Sequence, residues 1–175
     1  MGSLGYVLIH PPVARRFTVL EHPEGELTHP GDALGADCTV VDFVGGWVMP
    51  YRTDGASNED WFGWREALLC PVEGVIVSVR PNDATNRPGE LGTPPAAAIT
   101  FEAADGTRVV YAHVQEVEVS VGDRVQPGQP VARIGNNGMS RQPHLHIGAW
   151  RDDVPLQIRF DLEALGSVLR AAGVD

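Results

Sequence analysis

Pro143-His144-Leu145-His146 closes the run Gly135-Asn136-Asn137-Gly138-Met139-Ser140-Arg141-Gln142 and places two imidazoles one residue apart in a stretch that reads as a β-strand. Side chains on a strand alternate between faces, so His144 and His146 point the same way and can meet one metal ion or one water. An isolated H-x-H is as well explained by one core or surface histidine with an incidental neighbour. The preceding Gly-Asn-Asn-Gly segment favours chemistry, because such residues turn the chain sharply and deliver a strand whose first residues line a cleft.

Working back from this stretch, the pattern is strongly β. Val72 to Val79, Ala96 to Phe101, Arg108 to Val114, Val117 to Val121, Val131 to Ile134 and Leu145 to Trp150 read as short strands punctuated by Gly, Pro, Asn and Asp. Asp105-Gly106 is a hairpin signal, and Pro81 to Pro95 reads as a loop. Residues 45 to 69 carry three of the four tryptophans with little periodicity, which predicts a long loop with a helical turn around Trp61 to Leu69. Trp47, Trp61 and Trp64 line a groove or form a small satellite core. Beyond the last strand, Leu162, Leu165, Val168, Leu169 and Ala172 recur at helical spacing behind Asp161 as N-cap, so residues 162 to 172 are expected to form the one substantial helix, with a packing role.

Toward the N-terminus, Tyr6 to Ile9 and Phe17 to Leu20 are short apolar runs, and Glu21 to Gly35 is loop-like. Cys38-Thr39-Val40-Val41-Asp42-Phe43-Val44 reads as one strand with a carboxylate inside it. An unpaired buried carboxylate is costly, so Asp42 needs a cation, backbone donors or a metal.

A chain of 175 residues is the size of one domain. A net charge of −10, with 13 basic residues set among 23 acids, argues against a nucleic-acid surface and favours cations or cationic partners. Cys38 and Cys70 are too few for a disulfide scaffold and read as free thiols. The N-terminus lacks a charged leader and its apolar run is broken by His10 and Pro11, so it does not read as a signal peptide. No later stretch is long enough to span a membrane. The expected location is cytoplasmic unless a leader has been removed, and Gly2-Ser3 resembles a cloning remnant.

Taken together, Pro71-Val72-Glu73-Gly74-Val75-Ile76, Tyr111-Ala112-His113-Val114, Val121-Gly122-Asp123-Arg124-Val125-Gln126-Pro127-Gly128-Gln129-Pro130-Val131, Gly135 to Ser140 and Pro143-His144-Leu145-His146 resemble the lysostaphin/LytM-type zinc metallopeptidase family over about residues 38 to 150. The Val-Gly-Asp segment is also similar to biotinyl and lipoyl carrier domains, which need a lysine at their hairpin. This sequence has no lysine. The resemblance implies a mainly β fold, an antiparallel sandwich or barrel-like duplicated hybrid motif with the C-terminal helix appended. In that family H-x-x-x-D supplies two zinc ligands and the second His of H-x-H a third, which carries over to Asp42 and His146. His113 and His144 take the roles of orienting and deprotonating the water and stabilising the tetrahedral intermediate. Three protein ligands leave an open position on Zn2+ whose water is acidic enough to attack an amide near neutral pH.

Four residues before Asp42, where the family has its first histidine, stands Cys38. A thiolate is a good zinc ligand, so Cys38 completes the site, or His29 in the preceding loop replaces it, or the position is lost. A subgroup of the family with a similar Val-Asp-Phe-Val strand and an Asn-x-x-Pro-Gly stretch like Asn86 to Gly89 also lacks this histidine. Three readings follow: a zinc hydrolase of peptides of the peptidoglycan type, a catalytically silent interaction domain, or a repurposed zinc enzyme acting on an intracellular small molecule. The expected partner is a peptide or peptidoglycan-like substrate, and nothing in the sequence sets an oligomeric state.

Overall fold

The structure is a computed structural model that describes residues 5–174. The Gly2-Ser3 pair lies outside the described residues. In chain order the elements are β1 (Tyr6–Ile9), β2 (Phe17–Glu21), β3 (Ala36–Val40), β4 (Asp42–Val44), β5 (Trp47–Met49), a 3-10 turn (Asn58–Asp60), β6 (Ala67–Leu69), β7 (Gly74–Arg80), β8 (Ala98–Glu102), β9 (Arg108–Ala112), β10 (Val114–Gln115), β11 (Arg124–Val125), β12 (Pro130–Ile134), β13 (Leu145–Arg151), β14 (Val154–Pro155), β15 (Gln157–Phe160) and α1 (Leu162–Ala171).

The main sheet runs β11-β7-β8-β9-β13-β3-β2, with β14 attached to β13, and every pairing in it is antiparallel. A three-stranded sheet, β10-β12-β6, lies against it, so the fold is a mainly β arrangement of open sheets with one helix at the end of the described chain. The β1–β15 pair, outside the main sheet, is parallel. Apolar residues from both sheets meet in one core: Ile76, Ile99, Phe101, Val109, Tyr111, Leu145 and Ile147 from the large sheet, Leu68, Val114 and Ile134 from the small one. Tyr111 crosses between them, and its hydroxyl donates to the carbonyl of Leu69 at 3.0 Å, which satisfies the one polar atom of a fully buried ring.

The β8–β9 hairpin turns at Asp105-Gly106, where Gly106 takes a positive φ and the Asp105 carboxylate accepts from the backbone N–H of Thr107. Asp161 caps α1 by accepting from the backbone N–H groups of Glu163 and Ala164. Between residues 45 and 69 the structure departs from the long-loop expectation: β5 and β6 occupy its two ends, a 3-10 turn falls at Asn58–Asp60, and hydrogen-bonded turns follow over residues 62–65. Trp61 is buried there, with its indole N–H donating to the carbonyl of Gly55, whereas Trp47 stands exposed on the β4–β5 hairpin. Val117 to Val121 forms no strand. Val117 and Val119 still pack on the core while Val121 is exposed, and the segment touches β12 by one bond from the Glu118 N–H to the Val131 carbonyl, the ladder itself being confined to Val114–Gln115.

The expected strand from Cys38 to Val44 is two strands. β3 ends at Val40, the chain bends at Val41, and β4 starts at Asp42 as one arm of a separate hairpin with β5. That break moves the proposed ligand set. Among the described residues no helix is long and apolar enough to cross a membrane.

Candidate metal centre and active site

Three adjacent strands build the site. On β3, Ala36, Cys38 and Val40 are buried in the core, so Asp37 between them faces the other side of the sheet. His146 of β13 stands directly opposite Asp37, and directly opposed residues share a face. On the other flank Leu20 of β2 opposes Asp37, and the ladder continues by one bond from the His22 N–H to the Gly35 carbonyl at 2.8 Å. His22, two residues beyond Leu20, therefore lies on that same face. Local alternation on three strands thus brings His22, Asp37 and His146 together from distant parts of the chain.

Their ligand atoms lie within 4.8 Å of one another. His146 Nδ1 is 2.9 Å from Asp37 Oδ1, and His22 Nε2 is 3.4 Å from Asp37 Oδ2. Donor atoms about 2.0–2.2 Å from a tetrahedral zinc stand roughly 3.4 Å apart, so small adjustments would seat an ion between them. His22 Nε2 is also the buried side-chain nitrogen that finds no hydrogen-bond partner among the described residues. Such orphans are rare and point to an absent ligand. The opposite nitrogen, Nδ1, is 3.3 Å from the Glu26 carboxylate, which can only accept. With its proton on Nδ1 toward Glu26, the ring presents at Nε2 the lone pair that a metal needs. The residues present fit a zinc ion.

Two more histidines close the cluster. The ring of His113, held at a φ of 62° just after β9, lies 4.6 Å from that of His144 and tilted 43° to it, and His144 Nε2 is 3.7 Å from Asp37 Oδ1. His113 Nδ1 donates to the Asn137 carbonyl at 2.8 Å and His144 Nδ1 to the Gln142 carbonyl at 2.9 Å. A carbonyl cannot donate, so each ring carries its proton on Nδ1 and keeps Nε2 as an acceptor. The Gly135 to Ser140 run provides these anchors and is itself clamped. The Asn137 side chain joins the Ala97 N–H to the Val114 carbonyl, and Asn86 Nδ2 donates to the carbonyls of Gly138 and Ser140.

Burial and like charge set the protonation. Burial, reinforced by the His144 charge, pulls the His113 pKa down to about 4, and burial also lowers that of His144. Burial opposes the charge on His146 as well, but its contacts to the Asp32 and Asp37 carboxylates outweigh it and hold the pKa up at about 9. Asp37 is pushed up by burial and pulled down further by His146 and the neighbouring imidazoles, ending at about 2. Without metal, His146 and Asp37 form a charged pair.

Of the residues singled out in the sequence, His113, His144 and His146 come together and the others do not. Asp42 sits on β4, paired with Arg15 at 2.9 Å and with Arg16 at 3.8 Å, which answers its need for a partner without a metal. Cys38 adjoins Asp37 and so faces the opposite way, into the core, where burial drives its thiol pKa far up and keeps it protonated. Both cysteines are free. His29 is largely exposed, 3.8 Å from Asp32, and contributes no ligand atom to the cluster. Asp42, Cys38 and His29 therefore do not stand with His146 as expected, and Asp37 and His22 occupy the places beside it. Asp37 was legible in principle, as the carboxylate in an Ala-Asp-Cys-Thr-Val alternation whose other face is apolar. His22 carries no spacing signal, because its partner is reached across a long loop and a strand pairing.

The model of Peptidase family M23 matches residues 69–158, half of the chain. That segment contains His113, His144 and His146, while His22 and Asp37 precede it. No curated protein sequence matches. Among solved structures, a zinc-containing peptidase from Vibrio cholerae superposes with a TM-score of 0.51 at 18% identity, over 94% of this chain and 40% of that one. The catalytic domain of a point mutant of the prophage-encoded M23 protein EnpA from Enterococcus faecalis gives 0.52 at 17%, over 89% and 95%. A SpoIIIAH–SpoIIQ complex gives 0.54 at 19%, over 85% and 96%. The chain spans about half or less of the Pseudomonas aeruginosa and Vibrio cholerae chains that it matches. At these identities the superpositions establish the fold.

Proposed function

The chain belongs to peptidase family M23, and from that premise we propose that it is a zinc-dependent hydrolase of peptide bonds, with peptides of the peptidoglycan type as substrates and His22, Asp37 and His146 as the metal ligands. The observation that carries the reading is the unsatisfied Nε2 of His22, buried beside a carboxylate and a second imidazole in a protein that otherwise pairs its buried polar side-chain atoms among the described residues. Zinc held there supplies Lewis acidity, bringing the pKa of a coordinated water toward neutrality and polarising a carbonyl.

The protein's own groups do the rest. His113 and His144 are neutral at pH 7 because they are buried, and each is aligned by its Nδ1 hydrogen bond. Each offers an Nε2 that takes a proton from the attacking water or returns it to the leaving amine. Protonated, either ring stabilises negative charge developing on the scissile carbonyl.

The experiment is metal analysis of the purified protein joined to hydrolysis of glycine-rich and stem peptides before and after chelation. About one zinc per chain and a chelator-sensitive, zinc-restored cleavage are expected. A silent interaction domain is the competing reading, supported by the occurrence of the same fold in the SpoIIIAH–SpoIIQ complex. Absence of bound zinc under saturating conditions would select it.

A further inference from the structure

His146 is held on three edges. Its Nδ1 faces Asp37 at 2.9 Å, and its Nε2 meets the carboxylate of Asp32 at 3.0 Å. Between them the Cε1 edge lies so close to the Gly35 backbone that a Cβ on residue 35 would come within 2.9 Å of it. Asp32 belongs to the segment joining β2 to β3, in a turn fixed by main-chain bonds from Asp32 and Ala33 to the His29 carbonyl and from Gly35 to the Asp32 carbonyl. Its side chain makes none of these bonds and is free to serve the imidazole. The same segment starts at His22 and leads into β3 just before Asp37, so it carries one proposed ligand and this second carboxylate and positions the other ligand at its end.

A ligating imidazole must present a lone pair to the metal and a proton on its other nitrogen, and a carboxylate bonded to that N–H fixes both tautomer and ring rotation while raising the basicity of the ligand. From this geometry we infer that Asp32 is a positioning residue that locks His146 in the Nε2–H form with Nδ1 turned to the metal. The inference rests on the metal-centre reading proposed above. Asp32 lies on the side of the ring away from Asp37 and contributes no atom to the ligand cluster, so its effect passes through His146.

The test compares the parent with Asp32→Ala and Asp32→Asn, measuring zinc affinity by competition with a chromophoric chelator and recording the proton NMR spectrum of the cobalt(II)-loaded proteins. The parent should show an exchangeable, hyperfine-shifted His146 N–H signal that is slow to exchange with water. Asp32→Ala should lose that signal and bind zinc roughly 10- to 100-fold more weakly. Asp32→Asn, nearly isosteric and still offering an acceptor oxygen, should keep the fold and recover part of the affinity. Parental zinc affinity in Asp32→Ala, or weakened affinity with the His146 signal unchanged, overturns the role of Asp32 while leaving the metal centre standing. Failure of the parent itself to bind zinc or cobalt overturns the metal centre and this inference together.

Discussion

At the residue scale, the decisive contrast is between two aspartates five positions apart in sequence, Asp37 and Asp42. Asp37 has imidazoles around it and Asp42 has guanidiniums. His22→Ala and Asp37→Ala should each weaken zinc binding by at least about 100-fold, since each removes one of the three proposed protein ligands. Asp42→Asn should leave zinc affinity at the parental value and cost at most about 1 kcal/mol, the scale of a partly exposed ion pair. Cys38→Ala should likewise keep the metal, with a small loss of stability from core packing. Inductively coupled plasma analysis after dialysis, alongside denaturant titration, separates these outcomes. Zinc loss in Cys38→Ala without loss of fold would restore the thiolate site.

At the scale of elements, the Gly135 to Ser140 run matters through what it anchors. Asn137 satisfies the buried N–H of Ala97 and carbonyl of Val114 at once, and its own carbonyl holds His113. Asn137→Ala strands two buried backbone groups, so a loss of about 2–4 kcal/mol is expected, read as a lower midpoint in urea together with reduced peptidase turnover. The loop from His22 to Gly35 depends on another close approach. It crosses β13 at Gly148, where a Cβ would overlap the carbonyl of Gly31. Gly148→Ala must lift the loop or distort the strand, costing about 3 kcal/mol, and should weaken zinc binding as well because the loop carries His22 and ends at Asp37. Unchanged zinc affinity in a folded Gly148→Ala protein would show that the loop's seat on β13 is irrelevant to the site.

For the molecule as a whole, the charged His146–Asp37 pair links pH to stability and to metal uptake. The His146 pKa is raised in the folded state from 6.5 to about 9, so its contribution is full below 6.5 and is lost as pH rises through 9. The Asp37 pKa is lowered from 3.8 to about 2, so its contribution is present above 3.8 and is lost as pH falls through 2. His113 works the other way, since its folded pKa of about 4 lies below 6.5 and the unfolded chain gains its proton first as pH falls between those values. Metal-free protein should therefore lose stability from about pH 6.5 toward 9, a decline that saturating zinc suppresses. Zinc must displace the His146 proton, so calorimetry at pH 7 in buffers of different ionisation enthalpy should register proton release, with affinity rising toward pH 9. A binding enthalpy independent of buffer would contradict a protonated His146.

Much of this protein is local physics written in the chain. Alternating apolar residues, Asp105-Gly106 and the Asp161 cap determine strands, a hairpin and the terminal helix, because each depends on neighbours a few residues away. The H-x-H pair is equally local, since two residues on one strand share a face whatever lies beside them. Which aspartate and which distant histidine join that pair depended on the strand break at Val41 and on the registers of β2 with β3 and β3 with β13. A shift of one residue reverses every side chain, and it is what separates Asp37 in the site from Cys38 in the core. Only tertiary structure decides register, because the energy that selects it comes from burying Ala36, Cys38 and Val40 against the far sheet, contacts that no window of sequence contains.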